Sequence, residues 1–132
     1  MQDRPTAEEL LAAVRGHLER EVVPRIEDAR LKFQTLVCLH VLGIVERELM
    51  LGETLARAEW TSLAALLDDP AGQPTYAETR ERLAAGTRAL CRQIRAGSWD
   101  EDKRRHALLG HVRATVKTKL FIANPRYKSV GE

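Results

Sequence analysis

Three side chains near the middle of the sequence are the strongest candidates for binding or chemistry. His40 lies inside an apolar run, residues 36–45, and Glu46 and Glu48 follow that run closely. On a helix, Glu48 projects onto the side of the run that carries its valines, whereas Glu46 lies nearly opposite. A carboxylate on an apolar side needs a partner, because an unpaired buried charge is very costly. Two interpretations follow: an ion pair between Glu48 and an arginine, which we prefer, or a small-ligand pocket formed by His40, Glu46 and Glu48.

The remaining histidines favour surface ion pairs over metal binding. His17 precedes Glu21 by four residues and His106 follows Asp102 by four, so each pair shares one helix face. His106 and His111 are five residues apart and diverge by about 140°, so one helix cannot bring both to one metal ion. The sequence therefore predicts no metal ligands.

Motifs that carry catalysis or cofactors are absent from the sequence. It has no glycine-rich phosphate loop, no GxSxG, HExxH or CxxC, and no inward Glu-x-x-His pairs of the kind that hold two irons. We therefore predict no catalytic residue and no cofactor. Cys38 and Cys91 lie in apolar or helical contexts and are predicted to be two buried thiols.

The elements that would position these residues are all helical. Thr6 and Thr75 each precede a glutamate by three residues and form capping boxes, while Pro24 and Gly52 are predicted helix breaks. With 132 residues, the chain fits one all-α, bundle-like domain, residues 1–132. The predicted five helices cover about 7–21, 29–51, 56–67, 76–97 and 100–123.

Helix 2 is apolar nearly all the way round, which is typical of a central helix buried on several sides. Its surplus of apolar surface also predicts a homodimer. Its longest apolar run has ten residues, too few to cross a bilayer, and the polar N-terminus is unlike a signal peptide, so we expect a soluble cytoplasmic protein without a membrane partner. In the last helix the predicted buried face is Leu108, Leu109, Val112, Val116, Leu120 and Ala123.

Charge gives little support for nucleic-acid binding. The net charge is +2, although residues 99–132 hold eight Lys/Arg against four acids. These cations point in several directions and have no interleaved aromatic side chains for base stacking. A weak nucleic-acid binder that uses the C-terminal helix is accordingly the least favoured interpretation.

Three segments carry a family resemblance: residues 4–11 (RPTAEELL), 44–49 (IVEREL) and 123–127 (ANPRY). Together they resemble a small, uncharacterised bacterial family of all-helical proteins, a domain of unknown function. Members are often encoded beside aminoglycoside-phosphotransferase-like kinases and acyl-CoA dehydrogenases. The resemblance implies no catalytic residues.

What the resemblance does imply is a partner. The leading hypothesis is a non-enzymatic accessory or interaction protein that works with the phosphotransferase-like kinase or the acyl-CoA dehydrogenase. Arg126 and Tyr127, in the last of the three segments, are the predicted partner-binding residues. The alternative remains a small-ligand-binding protein or enzyme with a pocket near His40, Glu46 and Glu48.

Overall fold

A computed structural model describes residues 4–127 and contains no strand in that range, which confirms the all-α prediction. It has four α-helices there, not the five predicted. The helices are α1 (Ala7–His17), α2 (Ala29–Leu66), α3 (Tyr76–Arg95) and α4 (Asp102–Ala123). None of these helices is long and apolar enough to cross a membrane.

The fifth helix was predicted because Gly52 was interpreted as a stop. In the structure α2 continues through Gly52 without interruption, so predicted helices 29–51 and 56–67 are one element. A glycine inside a helix costs only about 1 kcal/mol relative to alanine. Residues 53–58 (ETLARA) are mostly strong helix formers and contain no proline, so the helix persists.

Local signals located the starts of α1, α2 and α3 correctly, whereas α4 begins at Asp102 and not at the predicted residue 100. At α1 the Glu9 amide donates to Thr6 Oγ1 (3.3 Å) and the Thr6 amide donates to Glu9 Oε2 (2.8 Å), the reciprocal pair of a capping box. Thr75 and Glu78 repeat that arrangement at α3. At α2 the amide of Leu31 donates to Asp28 Oδ1, as expected for an N-cap.

The end of α1 is less regular than predicted. The α-helix stops at His17 and continues as a π-helical turn, Leu18–Val22, and a 3-10 turn, Val23–Arg25. Val23 keeps helical angles (φ −54°, ψ −43°), so the chain does not leave helical geometry before Pro24, the predicted break. Extended backbone begins only at Ile26.

The chain divides into two compact units between Gly52 and Glu53, and α2 contributes to both. Among residues 4–52, the buried residues are Gly16, Val23, Gly43 and Gly52. The predicted burial of helix 2 on several sides is therefore wrong, since its side chains between 36 and 45 are exposed or only half-buried apart from Gly43. Cys38 and Cys91, predicted to be buried, are exposed free thiols.

Residues 53–127 form the second unit, which has a hydrophobic core. Its buried members are Trp60, Leu63, Ala64, Leu90, Trp99 and Leu108. The loop between α2 and α3 closes over this core, where the Trp60 indole donates to the Ala71 carbonyl (2.8 Å). Gly86 brings α3 against α2, because a Cβ there would lie 2.9 Å from Leu63 Cδ2.

Helix α4 packs on this core through a different face from the one predicted. Leu108, His111 and Ile122 are buried, and Thr115 and Thr118 between them are half-buried. Their spacing of three and four residues defines a single helix face. Of the face predicted to be buried, only Leu108 is; its other members, Leu109, Val112, Val116, Leu120 and Ala123, are exposed.

Candidate partner-binding surface

Helix α4 carries an exposed row of large apolar side chains, here called the α4 stripe. Their exposed fractions are 44% for Leu109, 41% for Val112, 50% for Val116 and 36% for Leu120. The spacings of three and four residues place all four side chains on one side of the helix. Helix α4 therefore turns a continuous apolar surface outward and places a partly polar surface on the core.

A polar cluster anchors the inward face. Ser62 Oγ of α2 lies 2.8 Å from His111 Nδ1, a hydrogen bond whose donor depends on the ring tautomer. Lys119 Nζ lies 3.4 Å from Glu59 Oε1, one turn along on α2. These contacts give His111 and Lys119 partners on α2. The hydrogen bond and the ion pair therefore offset the free energy that these polar groups lose when water is removed from them.

The same cluster shifts the protonation of His111. Burial lowers its pKa below the usual 6.5, because the charged ring loses water. The Glu59 carboxylate opposes this shift and the Lys119 ammonium adds to it. His111 as a whole is 9% exposed. Its burial and its hydrogen bond to Ser62 are typical of a structural histidine that joins α2 and α4.

A pocket of about 450 Å³ lies at the C-terminal end of the α4 stripe. Three stripe residues, Val112, Val116 and Leu120, line it, and Tyr127 lies on its wall. The other lining residues are Arg113, Lys117, Phe121, Asn124 and Pro125. A volume of this size accommodates a large apolar side chain or a small ligand.

The turn after α4 positions Tyr127 at the pocket. The Asn124 amide donates to the Leu120 carbonyl (2.7 Å), and the Tyr127 amide donates to the Asn124 carbonyl (2.9 Å). The amide of Arg126 donates to Asn124 Oδ1 (3.3 Å). Of the two predicted partner-binding residues, Tyr127 lines the pocket and Arg126 is exposed next to it in sequence.

The predicted ligand-binding residues lie in the first unit and do not converge. Glu46, which is mostly buried, accepts from Arg15 Nε of α1 (2.9 Å). His40 and Glu48 are exposed. At about 100° per residue, Glu46 and Glu48 point to nearly opposite sides of α2. The expected arginine partner is present in α1, but it binds Glu46 and not Glu48.

Sequence reasoning missed the α4 stripe as a surface because α4 has apolar residues on two sides. Leu108 and Ile122 lie on one side and the stripe lies on the other, so periodicity alone does not decide which side is covered. The available signal was the spacing of His111, Thr115 and Thr118, which is that of a packed face. Because these side chains are polar, they are not expected in a core from composition alone.

Comparison with known proteins adds one finding. A family model described as a domain of unknown function (DUF6285) matches residues 24–127. The chain belongs to the DUF6285 family. This DUF6285 match begins after α1 and contains α2, α3, α4 and the turn that ends at Tyr127. It therefore includes the whole α4 stripe and the pocket.

No curated protein and no solved structure matches the chain. Membership of DUF6285 assigns no activity and no ligand, so any function has to be argued from the surface itself.

Proposed function

We propose that this DUF6285 protein is a non-enzymatic accessory protein that binds a partner protein through the α4 stripe and the adjoining pocket. The observation that carries the proposal is the orientation of α4, which buries His111 and exposes Val112, Val116 and Leu120. A helix that has apolar residues on two faces normally packs the more apolar face against the core. An outward apolar face is therefore best explained by a partner that covers it.

The free energy that a partner would gain by covering the α4 stripe supports this interpretation. Covering a half-exposed valine or leucine contributes about 1 kcal/mol, and contiguous exposed apolar patches on soluble proteins commonly mark interaction sites. Four such side chains beside a pocket for an anchoring group match the usual pattern in which a few buried anchors carry most of the binding energy. Tyr127 on the pocket wall adds an aromatic side chain of the kind enriched at interfaces.

The proposal keeps the partners that the family resemblance implies, an aminoglycoside-phosphotransferase-like kinase or an acyl-CoA dehydrogenase, and a bacterial origin. It places the protein in the cytoplasm, and the free thiols Cys38 and Cys91 support a reducing compartment.

Site-specific photo-crosslinking tests the proposal. A photoreactive amino acid replaces Val116 in the full chain, which is co-expressed with the kinase-like protein and, separately, with the dehydrogenase. We expect a crosslinked complex from Val116 and none from Ile94, a comparably exposed position on α3 (42% against 50%). Equal crosslinking at both positions, or none with either protein, would contradict the proposal as stated.

A second interaction is favoured by the first half of α2. Val37, Val41, Val45 and Leu49 are 42–50% exposed and recur every four residues, which forms a second apolar row, the α2 stripe. We propose that two copies of the chain associate through this row, as isologous dimers do.

Sedimentation equilibrium tests the dimer. The wild-type chain is expected to show a concentration-dependent dimer that Val41→Asp converts to monomer, because an aspartate placed in an apolar contact is costly. Val116→Asp, on the α4 stripe, serves as the matched control and is expected to leave the dimer intact. A wild-type protein that is monomeric at every concentration would refute this second proposal.

A further inference from the structure

The chemistry of the partner can be inferred from the charge around the α4 stripe. Residues 103–127 contain seven Lys/Arg and no Asp or Glu. The rest of the sequence carries 14 Lys/Arg and 19 acids, so positive charge is concentrated in this segment. A surface of one sign favours a partner of the opposite sign, both in encounter and in orientation.

Some of these cations are already engaged within the second unit. Lys119 pairs with Glu59, the guanidinium of Arg104 lies 4.6 Å from the centre of the Trp99 ring, and Arg105 donates to the Asp100 carbonyl. Arg113 differs, because none of the residues described, 4–127, forms an ion pair with it. Arg113 and Lys117 both line the pocket, immediately beside Val112 and Val116.

A second copy of the chain is a poor occupant for this surface. Two α4 stripes in contact would place two basic segments against each other with no carboxylate between residues 103 and 127 to separate them. Like charges held close together at an interface cost on the order of several kcal/mol. The α2 stripe lacks this concentration of cations, so the argument does not extend to the dimer proposed above.

The shape of the surface favours a helix over a membrane. Spacings of three, four and four residues along the stripe match the contact row of one helix laid along another. The pocket of about 450 Å³ is concave and suits an inserted side chain. Helices that lie in membrane interfaces usually carry bulky Trp, Phe or Leu along their apolar face, whereas two of the four stripe positions are the smaller Val112 and Val116.

We infer that the α4 stripe binds an amphipathic helix whose apolar row is flanked by Asp or Glu, with one large apolar side chain inserted in the pocket. This inference rests on the proposed function and specifies its partner. The acidic flank faces Arg113, and the apolar row covers Val112, Val116 and Leu120.

Binding of designed peptides to the full-length protein tests the inference. The probe is a labelled helical peptide of about five turns with leucine on one face and glutamate beside it. There are two control peptides. In the first, lysine replaces every glutamate; in the second, the acidic sequence is scrambled so that no apolar row remains. We expect the acidic amphipathic peptide to bind at least about tenfold more tightly than either control, with a Kd that rises between about 50 and about 500 mM NaCl.

Two protein variants locate the binding. Arg113→Glu is expected to weaken binding of the acidic peptide by about fivefold or more and to improve binding of the lysine peptide, because the charge beside the stripe is reversed. Val116→Asp is expected to remove binding of both. Arg88→Glu on α3 is a matched charge reversal at another exposed position and should change neither Kd.

The outcomes separate the inference from the proposed function. Equal binding of the glutamate and lysine peptides, or unchanged binding of both peptides by Arg113→Glu, would overturn the acidic-helix inference. Crosslinking at Val116 would then still support the proposed function. Retention on anionic lipid vesicles or on duplex DNA that Arg113→Glu weakens, without peptide binding, would also overturn it and assign the surface to a lipid or a nucleic acid.

Discussion

The two units of this chain differ in what they bury. Residues 53–127 enclose two tryptophans and three leucines, whereas residues 4–52 enclose three glycines and one valine. Both units contain part of the same helix, α2, and both parts are rich in apolar residues. Val37, Val41 and Val45 remain exposed while Trp60 and Leu63 are buried. Apolar composition alone therefore does not decide burial.

The difference arises from what covers each part of α2. In the second unit, α3, α4 and the loop that reaches Trp60 all contribute to the core, and Leu63 has no exposed surface. In the first unit, the described contacts to α2 include a single cross-helix ion pair, Arg15 with Glu46, and the buried positions are mainly glycines. We expect local stability to follow this contrast, since stability varies with the density of buried contacts.

The largest expected effect is that of Leu63→Ala. Removing a fully buried leucine from the second unit should lower the free energy of unfolding by about 3 kcal/mol, through lost transfer energy and a residual cavity. Urea denaturation followed by tryptophan fluorescence reports this unit, because Trp60 and Trp99 both belong to its core.

Val41→Ala is the matched truncation in the first unit. Its side chain is half exposed, so we expect a loss below about 1 kcal/mol by circular dichroism at low protein concentration. Similar losses for Val41→Ala and Leu63→Ala would remove the contrast between the units. A larger loss for Val41→Ala that appears only at high concentration would support coverage of the α2 stripe by a second copy.

Sequence reasoning succeeded where the controlling interactions are local. Thr6 and Thr75 each accept from an amide three residues away, so their roles as caps could be identified from the spacing of threonine and glutamate alone. The prediction at Gly52 was wrong because a glycine weakens a helix only modestly, and its neighbours determine whether the helix continues.

The candidate surface could be predicted only in part. Tyr127 was among the predicted partner-binding residues, and it lines the pocket. The stripe that forms the rest of that pocket was assigned to the core, because the choice between two apolar faces of α4 depends on Ser62 and Glu59, which are remote in sequence. Binding by His40, Glu46 and Glu48 stays a prediction.

Two glycine substitutions sharpen the comparison at the level of helix contacts. Gly86→Ala should lower the free energy of unfolding by about 1–2 kcal/mol, because its Cβ would lie 2.9 Å from the fully buried Leu63. Gly43→Ala should raise it by about 0.5–1 kcal/mol, since alanine favours the helix and the nearest group, 3.3 Å away, is the end of the flexible Arg47 side chain.

Thermal and urea denaturation measures the change in the free energy of unfolding and its sign for each glycine variant. Tryptophan fluorescence follows Gly86→Ala, and circular dichroism follows Gly43→Ala. Destabilisation by Gly43→Ala as large as that by Gly86→Ala would mean that the first unit is packed as tightly as the second.

The pH dependence of stability tests the polar contact between α2 and α4. Because burial holds the pKa of His111 below 6.5 in the folded state, the unfolded chain binds this proton more readily. Above pH 6.5, the pKa of the unfolded chain, the contribution of His111 to stability is therefore complete. It is lost as the pH falls from 6.5 through the lower pKa of the folded state. Tryptophan-monitored urea denaturation at several pH values, between about 7.5 and about 5, measures the loss.

His111→Gln should flatten this pH dependence, and His106→Gln, at an exposed position of the same helix, should leave the wild-type slope in place. A proton NMR titration of the His111 ring supplies the direct check. A folded-state pKa at or above 6.5 would contradict the desolvated environment inferred for the face of α4 that meets the core.

The smallest effect is expected from the one described ion pair between α1 and α2. Arg15 Nε lies 2.9 Å from Glu46 Oε2, and the two side chains are 38% and 17% exposed, so water screens the pair in part. A double-mutant cycle with Arg15→Met and Glu46→Gln should give a coupling of about 0.5–1 kcal/mol by circular dichroism. The exposed pair Arg57–Glu53 within α2 is the control, with a coupling of about 0.3–0.5 kcal/mol.

Because the first unit buries so few apolar side chains, the Arg15–Glu46 coupling should be a larger share of the local stability of the first unit than the Arg57–Glu53 coupling is of the second. An Arg15–Glu46 coupling no greater than that of the control would mean that this cross-helix ion pair stabilises the first unit no more than an exposed pair within one helix does.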